Sequence, residues 1–347
     1  MIKNNIFRVY FIFTCLLLNL SCENKEPNSK SDISFQNYLS YQYRKDQYTG
    51  GVKLIPIITN YGVYKVWTKQ VGNNPQKRVL LLHGGPGSTH EIFECFDAFF
   101  PQEQIEYIYY DQLESFYSDQ PNNPKLWSIP RFVDEIEQLR VALGLDQNNF
   151  ILLGHSWGAI LAMEYALKYQ QNLKGMVVCN MMSSMKLYND YAHKVVAKDL
   201  QYEFNKEDQK IIKNKLDEQQ YDLFLNKIYT SHIIRKPIEN WPDPAIRAFT
   251  HINDKIYIYM QGSSDIGVED KAYLKNWDIQ RFLARITVPT LVVGAKYDMM
   301  DPEHLRWMSK VMGNGQFLYC PNGSDCPMYD DQEIFFKGVI KFIEDLK

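Results

Sequence analysis

The sequence predicts an α/β domain: a mostly parallel sheet covered by helices on both faces, with a helical cap inserted between two of its strands. Three observations predict it. Short apolar runs alternate with segments of helical spacing in both halves of the chain, the pattern of strand–helix–strand units. The run Phe150-Ile151-Leu152-Leu153 leads straight into Gly154-His155-Ser156-Trp157-Gly158, a G-x-S-x-G strand-to-helix bend that exposes a serine oxygen at its apex. From about residue 183 to 285 the charge rises and strand-like runs vanish, as in a helical insertion.

Taken from the start, residues 1–22 read as an export signal. Lys3 and Arg8 are followed by the apolar stretch Val9 to Leu20, which is too short to span a bilayer comfortably. Ser21-Cys22 resembles a bacterial lipoprotein site, with Cys22 lipidated, although Asn19 stands where such sites usually carry Leu. A plain secretory signal or an uncleaved anchor is the alternative. Residues 23–44 open with a polar run and read as a flexible tether. The expected location is therefore exported and membrane-anchored, in the periplasm or at the cell surface.

Residues 45–182 form the first part of the predicted core. Tyr61 to Lys69 alternates like an edge strand, Arg78 to Leu82 and Ile105 to Tyr110 read as strands, and Ser128 to Leu143 as a helix with Phe132, Ile136, Leu139 and Leu143 on one face. A strand over 149–153, a helix over Ala159 to Tyr169 and a strand over Gly175 to Cys179 follow. Cap helices are expected around Asp190–Phe204, Lys206–Ile228 and Asp243–His251. Residues 286–347 complete the core, with strands at Thr290–Gly294 and Gln316–Tyr319 and a closing helix from Gln332 to Leu346.

Composition sets limits on function. The 347 residues are 45% hydrophobic, enough for a large core. A net charge of −3 with no basic tract excludes a nucleic-acid footprint. Beyond Cys15 in the signal and Cys22, the cysteines Cys95, Cys179, Cys320 and Cys326 form no C-x-x-C metal pattern, and buried free thiols are expected in preference to a Cys320–Cys326 disulfide.

Sites in such sheets lie at the carboxyl ends of strands. His83, Ser156 and Asp298 each follow a strand, so they should face one crevice. The glycines of His83-Gly84-Gly85-Pro86-Gly87 leave backbone amides free to face a developing oxyanion, and the N–H groups of Gly85 and Trp157 are the candidate pair. His83 and His155 are expected to be structural. Asp301, just before Pro302, reads as a helix start.

With these motifs in order, the sequence resembles the prolyl iminopeptidase family of α/β-hydrolases, which includes related amino-acid amide hydrolases. HGGPG at 83–87, Asp111-Gln112, GHSWG at 154–158, Met260-Gln261-Gly262, Trp277-Asp278 and Val288-Pro289-Thr290-Leu291 followed by Gly294 and Tyr297-Asp298 carry the resemblance, over roughly residues 45–347. It implies an α/β-hydrolase fold and removal of a small unblocked residue, often proline, from a peptide or amide through an acyl-enzyme. It also implies Ser156 as nucleophile, Asp298 as the acid that orients the base, and neither metal nor organic cofactor.

The departures bear on activity. The family ends in Gly-Ser-His, whose histidine is the base; here Gly323-Ser324 is followed by Asp325, and no histidine lies beyond His304. An isolated Asp has a pKa of about 3.9 against about 6.5 for His, and it would face Asp298. Weak or absent activity is expected. Glu114 stands where the family has glycine, predicting a strained loop or a filled pocket. Asp265 matches a cap acid that holds the substrate amine in some members, with a solvated loop acid as its alternative; the second such position is Met299. The competing reading is a non-catalytic lipoprotein that binds a peptide or amino acid in the same pocket.

Overall fold

The computed structural model describes residues 51–200, 218–263 and 266–347. Eight strands form one sheet in the order β1-β2-β4-β3-β5-β6-β7-β8. β1 (Val52–Thr59) and β2 (Gly62–Val71) make an antiparallel hairpin, and β2 also runs antiparallel to β4 (Glu106–Asp111). From β4 onward the sheet is parallel, through β3 (Arg78–Leu82), β5 (Phe150–His155), β6 (Gly175–Cys179), β7 (Thr290–Ala295) and β8 (Gly315–Cys320). β4, β5, β6 and β7 are buried at every residue, which is why β5, β6 and β7 read as near-continuous apolar runs and not as alternation.

Helices cover both faces. On one, α1 (Ile129–Leu143) meets α2 (Trp157–Tyr169): Phe132 packs edge-on to Trp157 at 5.5 Å, and the Tyr165 hydroxyl donates to Glu137 at 2.6 Å. On the other, the 3₁₀ turns spanning His90–Ala98 and Phe100–Glu103 pack on the closing helix Gln332–Asp345, with Phe99 stacked on Phe336 at 3.9 Å and Phe96 edge-on to Phe336 at 4.9 Å.

Between β6 and β7 lies the cap. Its described helices are α3 (Met185–Leu200), α4 (Glu218–Ile228), α5 (Asp243–Thr250) and α6 (Asp254–Met260), with a wider turn at Tyr229–Ile233 and a tighter one at Ile238–Asn240 between α4 and α5. One expected bound shifts and one helix is added: the first cap helix begins at Met185, five residues before Asp190, and α6 lies where the sequence pattern predicts no helix. Residues 201–217, within the stretches expected to be helical, lie outside the described residues, as do the signal segment with Cys22 and the tether.

Asp301 caps the helix Pro302–Val311, its Oδ1 accepting the Glu303 amide at 3.0 Å. This is the helix-start role expected from Asp-Pro. The described cysteines Cys95, Cys179, Cys320 and Cys326 are free thiols.

Candidate active site

Ser156 sits between β5 and α2 with φ 52° and ψ −119°. A side chain rarely adopts a left-handed φ, and such strain persists only where the surroundings fix it. Two glycines allow it. A Cβ on Gly154 would lie 2.1 Å from the Gly158 carbonyl oxygen, and one on Gly158 would lie 2.0 Å from that of Leu82. Strand, bend and helix therefore approach more closely than any side chain permits. The bend is tied by the Ser156 amide donating to the Cys179 carbonyl at 3.0 Å.

The loop after β3 lies against this bend. Trp157 Nε1 donates to Gln112 Oε1 at 2.8 Å, Gln112 Nε2 donates to the His83 carbonyl at 3.0 Å, and the Gln112 amide donates to His83 Nε2 at 3.2 Å. His83 is fully buried, and burial pushes its pKa down to about 4, so the ring stays neutral and holds the loop. The loop's Gly85 lines the cavity in front of Ser156. Trp157 is the first residue of α2, where a helix amide has no carbonyl one turn back to bond. Gly85 lines the cavity beside Ser156, whereas Trp157 lies just behind it as the first residue of α2.

The cavity measures about 540 Å³ and is walled by both core and cap. Ser156, Asp298 and Asp325 all line it. They come from the carboxyl ends of β5, β7 and β8, with β6 between the first two in the sheet. Asp298 is buried, with Asn180 Nδ2 donating to Oδ2 at 2.7 Å and the Met300 amide to Oδ1 at 3.1 Å. Burial, with the Asp325 charge second, nevertheless pushes its pKa well above the carboxylate range. Asp325 is pushed up to about 7, again chiefly by burial. Its backbone is pinned to the cap, its amide donating to the His232 carbonyl at 2.9 Å.

Among the described residues, five further histidine rings are engaged elsewhere. His90 Nδ1 bonds Asp111, His155 Nε2 donates to the Asp325 carbonyl at 2.8 Å, His232 Nδ1 to the Tyr297 carbonyl, His251 Nδ1 meets Glu91, and His304 Nε2 meets Ser183. Of these, His155 reaches the cavity wall, and burial pushes its pKa down to about 4.

Glu114 does not line the cavity. It is buried at φ 78°, and its carboxylate accepts Trp127 Nε1 at 3.0 Å and the amides of Asn122 and Asn123 at 3.1 and 3.3 Å. The loop turns its carboxylate inward to organise residues 122–127, so Glu114 is a loop anchor and not a substrate ligand; the left-handed φ is where the expected strain does appear. Asp265 lies outside the described residues. Met299 lines the cavity, as does Asp254 at the start of α6 with Tyr257 and Gln261 along the same helix. Sequence reasoning missed Asp254 because an acid after Asn253 reads as an ordinary first-turn residue. It passed over Cys326 because nothing in the chain marks that thiol as facing a cavity.

The α/β hydrolase fold family model matches residues 77–311. A proline iminopeptidase of Flavobacterium johnsoniae is 50% identical over 84% of this chain and 98% of its own length. The chain belongs to the proline iminopeptidase family of α/β-hydrolases. A proline iminopeptidase of Elizabethkingia meningoseptica is likewise 50% identical over 84% of this chain and 98% of its own. Among solved structures, that of VinJ superposes with a TM-score of 0.74 at 25% identity, covering 85% of this chain and 99% of the other. The fold and family expected from HGGPG and GHSWG are thereby established.

Proposed function

We propose that this family member is an exported serine hydrolase that binds a small unblocked N-terminal residue, proline above all, and that its turnover is limited by Asp325 at the base position. The observation that carries this reading is the cavity that joins Ser156, Gly85, Asp298 and Asp325 under an apolar cap. Ile233, Ile238, Trp241, Ile246 and Phe249 suit a pyrrolidine ring, and Asp254 supplies a carboxylate for its secondary ammonium. Ser156 would attack the scissile carbonyl, the amides of Gly85 and Trp157 would hold the oxyanion, and the leaving amine would depart from an acyl-enzyme that water then hydrolyses.

Asp325 has to take the serine proton in this scheme and hand it to the nitrogen of the leaving amine. It is shorter than imidazole and cannot bridge Ser156 and Asp298 as a histidine does. Removing the histidine of a well-studied serine protease costs on the order of 10⁶ in turnover, while the oxyanion hole and pocket retain about 10³–10⁴ over water. The test is hydrolysis of proline and alanine arylamides by the full protein beside Ser156→Ala. A slow turnover that Ser156→Ala removes supports the reading. Turnover unchanged in Ser156→Ala would overturn it.

The second reading, a binding lipoprotein on the same fold, is favoured by one observation: the base position carries the short carboxylate of Asp325, and the histidine on the cavity wall, His155, is bonded to the Asp325 carbonyl. It gains if no turnover is seen while proline amide binds. Export and anchoring belong to the proposal and rest on Lys3, Arg8, the apolar run and Cys22. Cys22→Ser should move the protein from the membrane fraction to the soluble fraction of cells. Retention in the membrane would remove lipidation from the account.

A further inference from the structure

At the base end of the cavity, His155, Asp325 and Cys326 form a mixed cluster whose ligating atoms all lie within 4.8 Å of one another. All three residues line the cavity. We propose that this cluster is a binding site for a thiophilic divalent cation, zinc foremost, with a fourth position open to the cavity beside Ser156.

The spacing argues for it. Zinc bonds of about 2.0–2.1 Å to oxygen and nitrogen and about 2.3 Å to sulfur place tetrahedral edges at about 3.3 Å for N···O and about 3.5 Å for O···S. His155 Nε2 lies 3.5 Å from Asp325 Oδ2, and Cys326 Sγ lies 3.6 Å from the same oxygen. Three protein ligands with one vertex open is a recurrent zinc arrangement, and a thiolate in the set selects against magnesium and calcium.

The chemistry of the pocket agrees. Asp298 and Asp325 bring two carboxylates to one wall, and among the described residues that wall carries no lysine or arginine. His155 Nδ1 is buried with no hydrogen-bond partner, so the protein itself leaves this ring incompletely used. Binding moves the ring proton to Nδ1, frees Nε2 from the Asp325 carbonyl, and releases the Cys326 thiol proton to solvent. The polypeptide holds the site in place without metal: the Asp325 and Cys326 amides donate to the carbonyls of His232 and Ile233 at 2.9 and 3.0 Å.

The experiment uses the full chain, stripped with a chelator and titrated first with Co²⁺ and then with Zn²⁺, so its readout is independent of hydrolysis. The expected result is one equivalent of Co²⁺ with a thiolate charge-transfer band, displaced by Zn²⁺ and not by Mg²⁺. Cys326→Ser should abolish the band and weaken zinc by about a hundredfold or more, since loss of a mere outer-shell partner already costs about 10–100-fold. Cys320→Ser, a buried thiol outside the cluster, should keep both. His155→Asn is the second ligand variant, should Cys326→Ser not fold by near-UV circular dichroism. No band in the parent, a band that survives in both ligand variants, or a band lost in Cys320→Ser would overturn the proposal.

Discussion

At residue 325, charge and reach act together. A histidine there would sit between a nucleophile and an ionised acid. Aspartate instead confronts the buried Asp298, and its charge adds to the cost of ionising that acid. The groups facing Asp325 are Asp298, Asp330, Cys326 and His155. Its raised pKa makes the folded state bind more protons than the unfolded one between about pH 4 and about 7. The stability it contributes is thus complete below about pH 4 and is lost as pH rises through about 7. Asp325→Asn should therefore raise the melting temperature at pH 8 and change it little at pH 4. An equal shift at both values would contradict the raised pKa. Asp254 makes the second prediction at this scale. Asp254→Asn should weaken binding of proline amide by roughly tenfold, the worth of one solvent-accessible ion pair at most, and leave N-acetylproline amide unaffected, as calorimetry can show.

At the level of elements, the sequence is most legible where the backbone has least choice. β3, β5, β6 and β7 appear as apolar runs because both their faces are buried. Gly154 and Gly158 mark the bend because a Cβ at either would meet a carbonyl oxygen. Gly158→Ala should destabilise the fold by roughly 2–3 kcal/mol, read by denaturant unfolding, since Leu82 cannot retreat without distorting β3. β1 escaped notice because Pro56 interrupts its pattern. It is an edge strand, where a missing amide is tolerated. The turns at 90–103 follow tertiary packing against the closing helix, and no periodicity announces them. Glu114 was visible as a departure, but its role depends on Trp127 and residues 122–123 folding back onto it, contacts that only the loop's full path defines. Glu114→Ala leaves those donors unpaired and should cost about 2 kcal/mol of stability with little change in proline amide affinity. A large affinity loss at unchanged stability would return Glu114 to the pocket.

For the whole molecule, the sheet order explains why residues far apart in sequence share one cavity. The ends of β3, β5, β7 and β8 open on the same side, and the insertion between β6 and β7 roofs them. The convergence of residues 156 and 298 followed from strand ends, and the cap from the change of pattern after residue 183; His83, expected at the same crevice, is buried behind it, and Gly84 and Gly85 form the wall in its place. The cap's contribution to the wall did not follow from the pattern, because short helices such as α6 are fixed by what they cover more than by their own sequence. The same packing that brings Asp325 to the nucleophile also brings Cys326 and His155, so one substitution at the base position changes both the acid–base relay and the ligand set beside it.

The most direct measurement is kcat/KM for proline arylamide in the parent protein and in Asp325→His. The account predicts a gain of about 10³-fold or more in the variant, as an imidazole takes the serine proton and Asp298 ionises beside it. Equal activity in the two proteins, with the parent at a rate typical of efficient hydrolases, would contradict the claim that residue 325 limits this site.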